Sequence, residues 1–86
     1  MKSIEEFAAE TLHPSILSGE WWRNRGTPEQ AHSIREQVFT AWQSLPETQE
    51  WYESAFDDVD EIVKDLAAKR NAFASWFAAN SGMVPN

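Results

Sequence analysis

An 86-residue chain of 9.9 kDa and net charge −7 has room for one small hydrophobic core. Five Trp and five Phe argue against intrinsic disorder, and the lack of cysteine excludes disulfide staples, thiolate metal sites and thiol nucleophiles. The acidic balance works against direct nucleic-acid or anionic-membrane binding, and no apolar run approaches the ~20 residues a bilayer span needs. Met1-Lys2-Ser3-Ile4-Glu5-Glu6 carries no hydrophobic signal region, so a cytoplasmic location is expected.

No stretch alternates apolar and polar residues long enough for a strand. The chain therefore reads as all-α, a single helical domain over 1–86. Residues 1–26 are expected to form an N-terminal helix and a Trp-containing connector. Ser3 with Glu6 fits a capping box, and Ile4, Phe7, Ala8 and Leu12 make an apolar stripe. His13-Pro14 ends that helix, because the residue before proline is pushed out of helical geometry. Pro14 can open a short helix with Leu17 and Trp21 on one face, which Gly19 weakens and Gly26 would stop. A compact loop that plugs Trp21 and Trp22 into the core fits the same residues.

Thr27-Pro28-Glu29-Gln30 is a stronger start: Thr27 caps, Pro28 suits the first turn and Gln30 closes the box. The stripe Ala31, Ile34, Val38, Ala41 and Leu45, widened by Phe39 and Trp42, predicts a helix over 27–45 with one face fit for a partner. Ser44-Leu45-Pro46-Glu47 resets the chain into an antiparallel helical hairpin, with Ser44 and Glu47 as a third possible capping box.

Residues 46–80 then read as one long amphipathic helix. Asp58 and Glu61 could cap a second start. Against that, Tyr52, Phe56, Val59, Val63, Leu66, Phe73 and Phe77 keep a single three-four step, with the carboxylates on the opposite side. Such a helix would run about 50 Å against ~27 Å for its hairpin partner. Gly82 is its expected cap. The surplus needs cover from the N-terminal segment, packed across the hairpin, or from a second copy, so a homodimer is expected. Lys69 and Arg70 can lay their aliphatic stems along the seam.

Charge is distributed unevenly. Residues 47–63 hold seven carboxylates and no Lys or Arg, whereas 64–86 hold one carboxylate and three basic residues. In a continuous helix Glu53, Asp57, Glu61 and Asp65 line up about 6 Å apart. The three like-charge pairs cost about 1 kcal/mol together. The plainest use of such a face is to stay solvated. Its functional use is docking on the basic surface of another protein, with a charge spacing comparable to that of a phosphate backbone. A non-enzymatic inhibitor or nucleic-acid mimic is the leading expectation. The protein-binding residues would be Glu50, Glu53, Asp57, Asp58, Asp60, Glu61 and Asp65, with Trp42, Trp51 and Trp76 as aromatic anchors unless they are core.

Two other readings fit the pattern: a structural protein forming a helical homo-oligomer, and a divalent-metal-dependent nucleotide hydrolase. For the latter, Glu50 and Glu53, then Asp57 and Asp60 or Asp58 and Glu61, are spaced to share an ion. The facing helix offers only Glu29 and Glu36, and Glu36 lies off the apolar stripe. No metal, cofactor or catalytic residue is therefore assigned. His13 and His32 stand at helix ends, where structural or solvent roles suffice. Trp21-Trp22-Arg23-Asn24-Arg25 could stack on bases, but the net charge favours packing for the tryptophans and ion pairing for the arginines.

Overall fold

Local signals fix most helix ends. In the computed structural model, which describes residues 1–81, six helices and no strand occur among the described residues. They are α1 (Ile4–Thr11), α2 (Pro14–Ser18), α3 (Glu20–Asn24), α4 (Pro28–Gln43), α5 (Pro46–Ala55) and α6 (Val59–Asn80). Ser3 Oγ accepts the Glu6 N–H at 3.1 Å, and His13 Nδ1 accepts the Ser15 N–H at 3.1 Å to start α2. The Thr27–Gln30 capping box closes in both directions, at 3.0 and 3.2 Å. The connector expected after Pro14 is thus two short helices rather than a loop. Gly19 joins them in the left-handed region at φ 86°, which its missing Cβ makes inexpensive.

Two expected starts differ. Ser44 is the C-cap of α4 and donates its hydroxyl to the Thr40 carbonyl, so the Ser44–Glu47 box does not form. Leu45 precedes Pro46 without a side-chain cap. The long C-terminal helix is present, but it begins at Val59, not at 46. Phe56 (φ −129°, ψ 135°) and Asp58 (φ −118°, ψ 126°) are extended, and Asp58 accepts the Asp60 N–H at 2.9 Å. The capping option at Asp58 prevails over the unbroken apolar phase. The expected cap at Gly82 lies outside the described residues.

The reason for the break is burial. At 1.5 Å per residue α4 is about 24 Å long, too short to cover a helix running from 46 to 80. Breaking at residues 56–58 lets α5 fold back, so that Tyr52 reaches Trp42 at a ring-centroid distance of 6.3 Å. Trp51, Tyr52 and Phe56 pack on one another with centroids 4.9 to 5.6 Å apart. Burying a large apolar side chain contributes about 1.5–3 kcal/mol, more than the few helical hydrogen bonds given up, each net about 1 kcal/mol.

The core lies between α1, α4 and α6. Helix α6 runs antiparallel to α4: Gln43 and Ser44 lie near Ile62 and Leu66 at one end, and His32 lies near Ala74 at the other. As expected, the N-terminal segment packs across this pair, with Ile4 and Ala8 buried beneath it. Trp42 is 0% exposed, and its Nε1 donates to the Lys2 carbonyl at 2.7 Å. Trp22 covers the far end, 5.9 Å from Phe77, and donates Nε1 to the Ile16 carbonyl at 2.7 Å. Gly26 passes so close to Trp22 that an added Cβ would sit 2.0 Å from the indole ring.

Candidate functional site

The residues singled out for binding fall into three groups once folded. Glu50, Glu53, Asp57, Asp58, Asp60 and Glu61 are exposed around the α5–α6 junction. The regular row of Glu53, Asp57, Glu61 and Asp65 does not exist, because those residues lie on α5, on the connector and on α6. What remains is a dense anionic collar rather than a ladder of even spacing. Within that collar Val59 is 71% exposed and Val63 59% exposed. Both belonged to the expected buried stripe. The break turns them outward, while Ile62 and Leu66, on the adjoining face of α6, are the residues that pack on the core.

Asp65 is the second group, and its charge is already engaged. It forms an ion pair with Lys69 one turn away and accepts the Tyr52 hydroxyl at 2.5 Å. Lys69 Nζ also sits 5.0 Å from the Trp51 ring centroid and 5.3 Å from that of Tyr52. This cluster ties α5 to α6 across the break. Asp65 therefore leaves the set of free docking charges.

The tie is pH-sensitive by construction. The hydrogen bond from Lys69, then that from Tyr52, holds the Asp65 carboxyl below its ordinary range. Burial, then donation to Asp65, pushes the Tyr52 hydroxyl well up. A depressed carboxyl stabilises the fold above its unfolded pKa, and that gain is lost as pH falls through the folded value. A raised tyrosine stabilises below its ordinary pKa, and that gain is lost as pH climbs toward the folded value. The tie is thus expected at full strength between the two limits. Asp65→Asn is expected to flatten the acid limb of a stability–pH curve and Tyr52→Phe the alkaline limb, each costing about 1–2 kcal/mol at neutral pH. Urea titrations across pH check this, and unchanged limbs would remove the tie as a source of stability.

The aromatic candidates form the third group. Trp42 is a core residue and drops out as a surface anchor. It meets Tyr52 across the hairpin turn. Trp51 and Trp76 are half-buried, the former beside Tyr52 and Phe56, the latter stacked on Phe73 at 5.9 Å. Arg23 and Arg25 are exposed, while Trp22 beside them is buried. Arg70 lies over the Phe39 ring at 4.7 Å and faces Glu36 at 3.5 Å, which places its guanidinium at the α4–α6 seam.

Sequence reasoning missed the Tyr52–Asp65 contact, whose signal exists only after α5 turns back. Among the described residues, no three His, Asp or Glu side chains converge where they could hold a metal ion. No helix of the described residues is long and apolar enough to cross a membrane. No protein-family model, curated protein or solved structure matches this chain.

Proposed function

We propose that this chain is a non-enzymatic binding protein, and that its α5–α6 junction docks on a cationic, partly apolar surface of another protein. The supporting observation is the pair of exposed valines, Val59 and Val63, set among exposed Asp57, Asp58, Asp60 and Glu61. Apolar area supplies affinity, and surrounding carboxylates steer a basic partner and reject an acidic one. The reading rests on charge density beside apolar exposure, not on regular phosphate-like spacing. A cytoplasmic location accompanies this proposal.

A second copy is the competing occupant, as a homodimer or larger assembly. Two such patches would bury their valines together, yet each would bring Asp57, Asp58, Asp60 and Glu61 against the same four residues of its partner. Like charges across an interface oppose association.

A synthetic amphipathic Lys/Leu peptide is a suitable probe. Saturable binding that weakens with added salt is expected. Val63→Ser is expected to weaken it about tenfold, and the double variant Glu53→Gln, Asp57→Asn to weaken it and reduce its salt dependence. Equal binding by both variants would overturn the proposal. So would sedimentation showing a tight, salt-insensitive dimer that Val63→Ser abolishes.

A further inference from the structure

A different face carries the opposite chemistry. Between α4 and α6 lies a groove of about 290 Å³ lined by His32, Arg35, Glu36, Phe39, Arg70, Asn71, Phe73 and Ala74. On α4, His32, Arg35, Glu36 and Phe39 stand at positions i, i+3, i+4 and i+7, the spacing of one helical face. Helix α6 brings Arg70, Asn71 and Ala74 against them. The groove thus holds two guanidiniums, an imidazole and a carboxamide against a single carboxylate, above two phenyl rings.

Neither guanidinium is fully used. Arg35 is half-buried and forms no ion pair among the described residues, although the chain holds 14 carboxylates. Arg70 meets Glu36 only through Nε at 3.5 Å, long for a charge-assisted bond, which is normally about 2.7–2.9 Å. Its guanidinium carbon lies 4.7 Å from the Phe39 ring centroid, a contact that holds it in the groove while Glu36 leaves its other donors open.

The geometry points to a binding site for a phosphate monoester with a small apolar body. Two guanidiniums match the charge and the forked acceptor geometry of a terminal phosphate. His32 and Asn71 supply further donors for a group with three terminal oxygens, more than one carboxylate can occupy. Ala74 and the aliphatic stems of Arg35 and Arg70, lying over the buried Phe39 and Phe73, offer the organic part an apolar wall. The net charge of the chain does not forbid this. Asp65, the nearest carboxylate to Arg70 on α6, is already paired with Lys69, and Asp60 is ten positions away, about 15 Å, beyond the roughly 8–10 Å over which salt screens exposed charges.

Phenyl phosphate is the probe, followed by amide chemical shifts of the full chain. Saturable shifts are expected at His32, Arg35, Arg70 and Asn71, with weaker binding of inorganic phosphate. Arg35→Gln is expected to weaken phenyl phosphate about tenfold. Glu36→Gln, which removes the competing carboxylate, is expected to tighten it severalfold. That gain is a change in sign that a loss of folding cannot imitate. Absence of saturable shifts at these amides, or affinity unaltered in both variants, would overturn the site. Inorganic phosphate binding as tightly as phenyl phosphate would overturn the ester assignment.

Discussion

Replacing Trp42 by alanine is expected to destabilise the fold by about 3–5 kcal/mol. Trp42 is fully buried where α1, α4, α5 and α6 meet, touching Phe39 and Tyr52 with its ring and the Lys2 carbonyl with its Nε1. Truncation leaves a cavity and an unpaired carbonyl together. Domains of this size hold roughly 0.05–0.15 kcal/mol per residue in all, so the loss takes away much or all of the margin. At about 4–8 °C per kcal/mol, the thermal midpoint should fall by tens of degrees or the cooperative transition should disappear. Trp42→Phe keeps most of the volume and isolates the hydrogen bond, at about 1 kcal/mol beyond the lost ring area. Thermal melts followed by circular dichroism check both. A Trp42→Ala midpoint within a few degrees of the parent would contradict the placement of this residue.

Gly26→Ala is the second large effect, and it comes from a single methyl group. The new Cβ would lie 2.0 Å from the Trp22 ring and 2.9 Å from the Trp22 Cα. Neither atom can yield easily. The ring is held by its Nε1 bond to Ile16 and its edge-on contact with Phe77, and the Cα belongs to α3. Overpacking of this kind costs typically about 1–3 kcal/mol. Gly26 lies between α3 and α4, and alanine there narrows the unfolded ensemble, which works the other way, so a net loss isolates the clash. Chemical denaturation checks it. In a Trp22→Leu background the penalty should shrink, since the offending ring atoms are gone. A Gly26→Ala variant as stable as the parent would show that the turn opens without cost.

Much of this fold was legible in local chemistry. Ser3, His13-Pro14, Thr27-Pro28 and Leu45-Pro46 each mark a helix boundary for reasons confined to a few residues, and the all-α class follows from them. The division at Phe56-Asp57-Asp58 was not read correctly, because the apolar phase tells which face a residue takes and not whether the helix continues. A three-residue connector can carry the pattern across a break without visible loss of step. The deciding fact was the length of α4, which leaves an unbroken partner uncovered, and that comparison involves two elements rather than one. The same limit applies to the sites. The carboxylates around Asp57 were evident from composition, but the outward turn of Val59 and Val63 depends on the break. His32, Arg35, Glu36 and Phe39 fall on one side of α4 by their i, i+3, i+4 and i+7 spacing alone. That Arg70 should meet them depends on the antiparallel register of α4 and α6.

The break at residues 56–58 also changes what the nearby acids do. A continuous helix would place Asp58, Asp60 and Glu61 mid-helix, far from either end of its dipole. A new N-terminus at Val59 instead sets them at the positive end of the α6 macrodipole, equivalent to about half an elementary charge, where Asp58 already accepts the Asp60 N–H. Anions at such an end typically gain about 0.3–1 kcal/mol. Asp58, Asp60 and Glu61 therefore help hold α6 at its entry as well as decorating its surface, and neutralising them would mix a folding effect into any affinity measurement. Glu53, near the end of α5, and Asp57, in the connector, lack that local reward, which makes them the cleaner positions at which to separate recognition from stability.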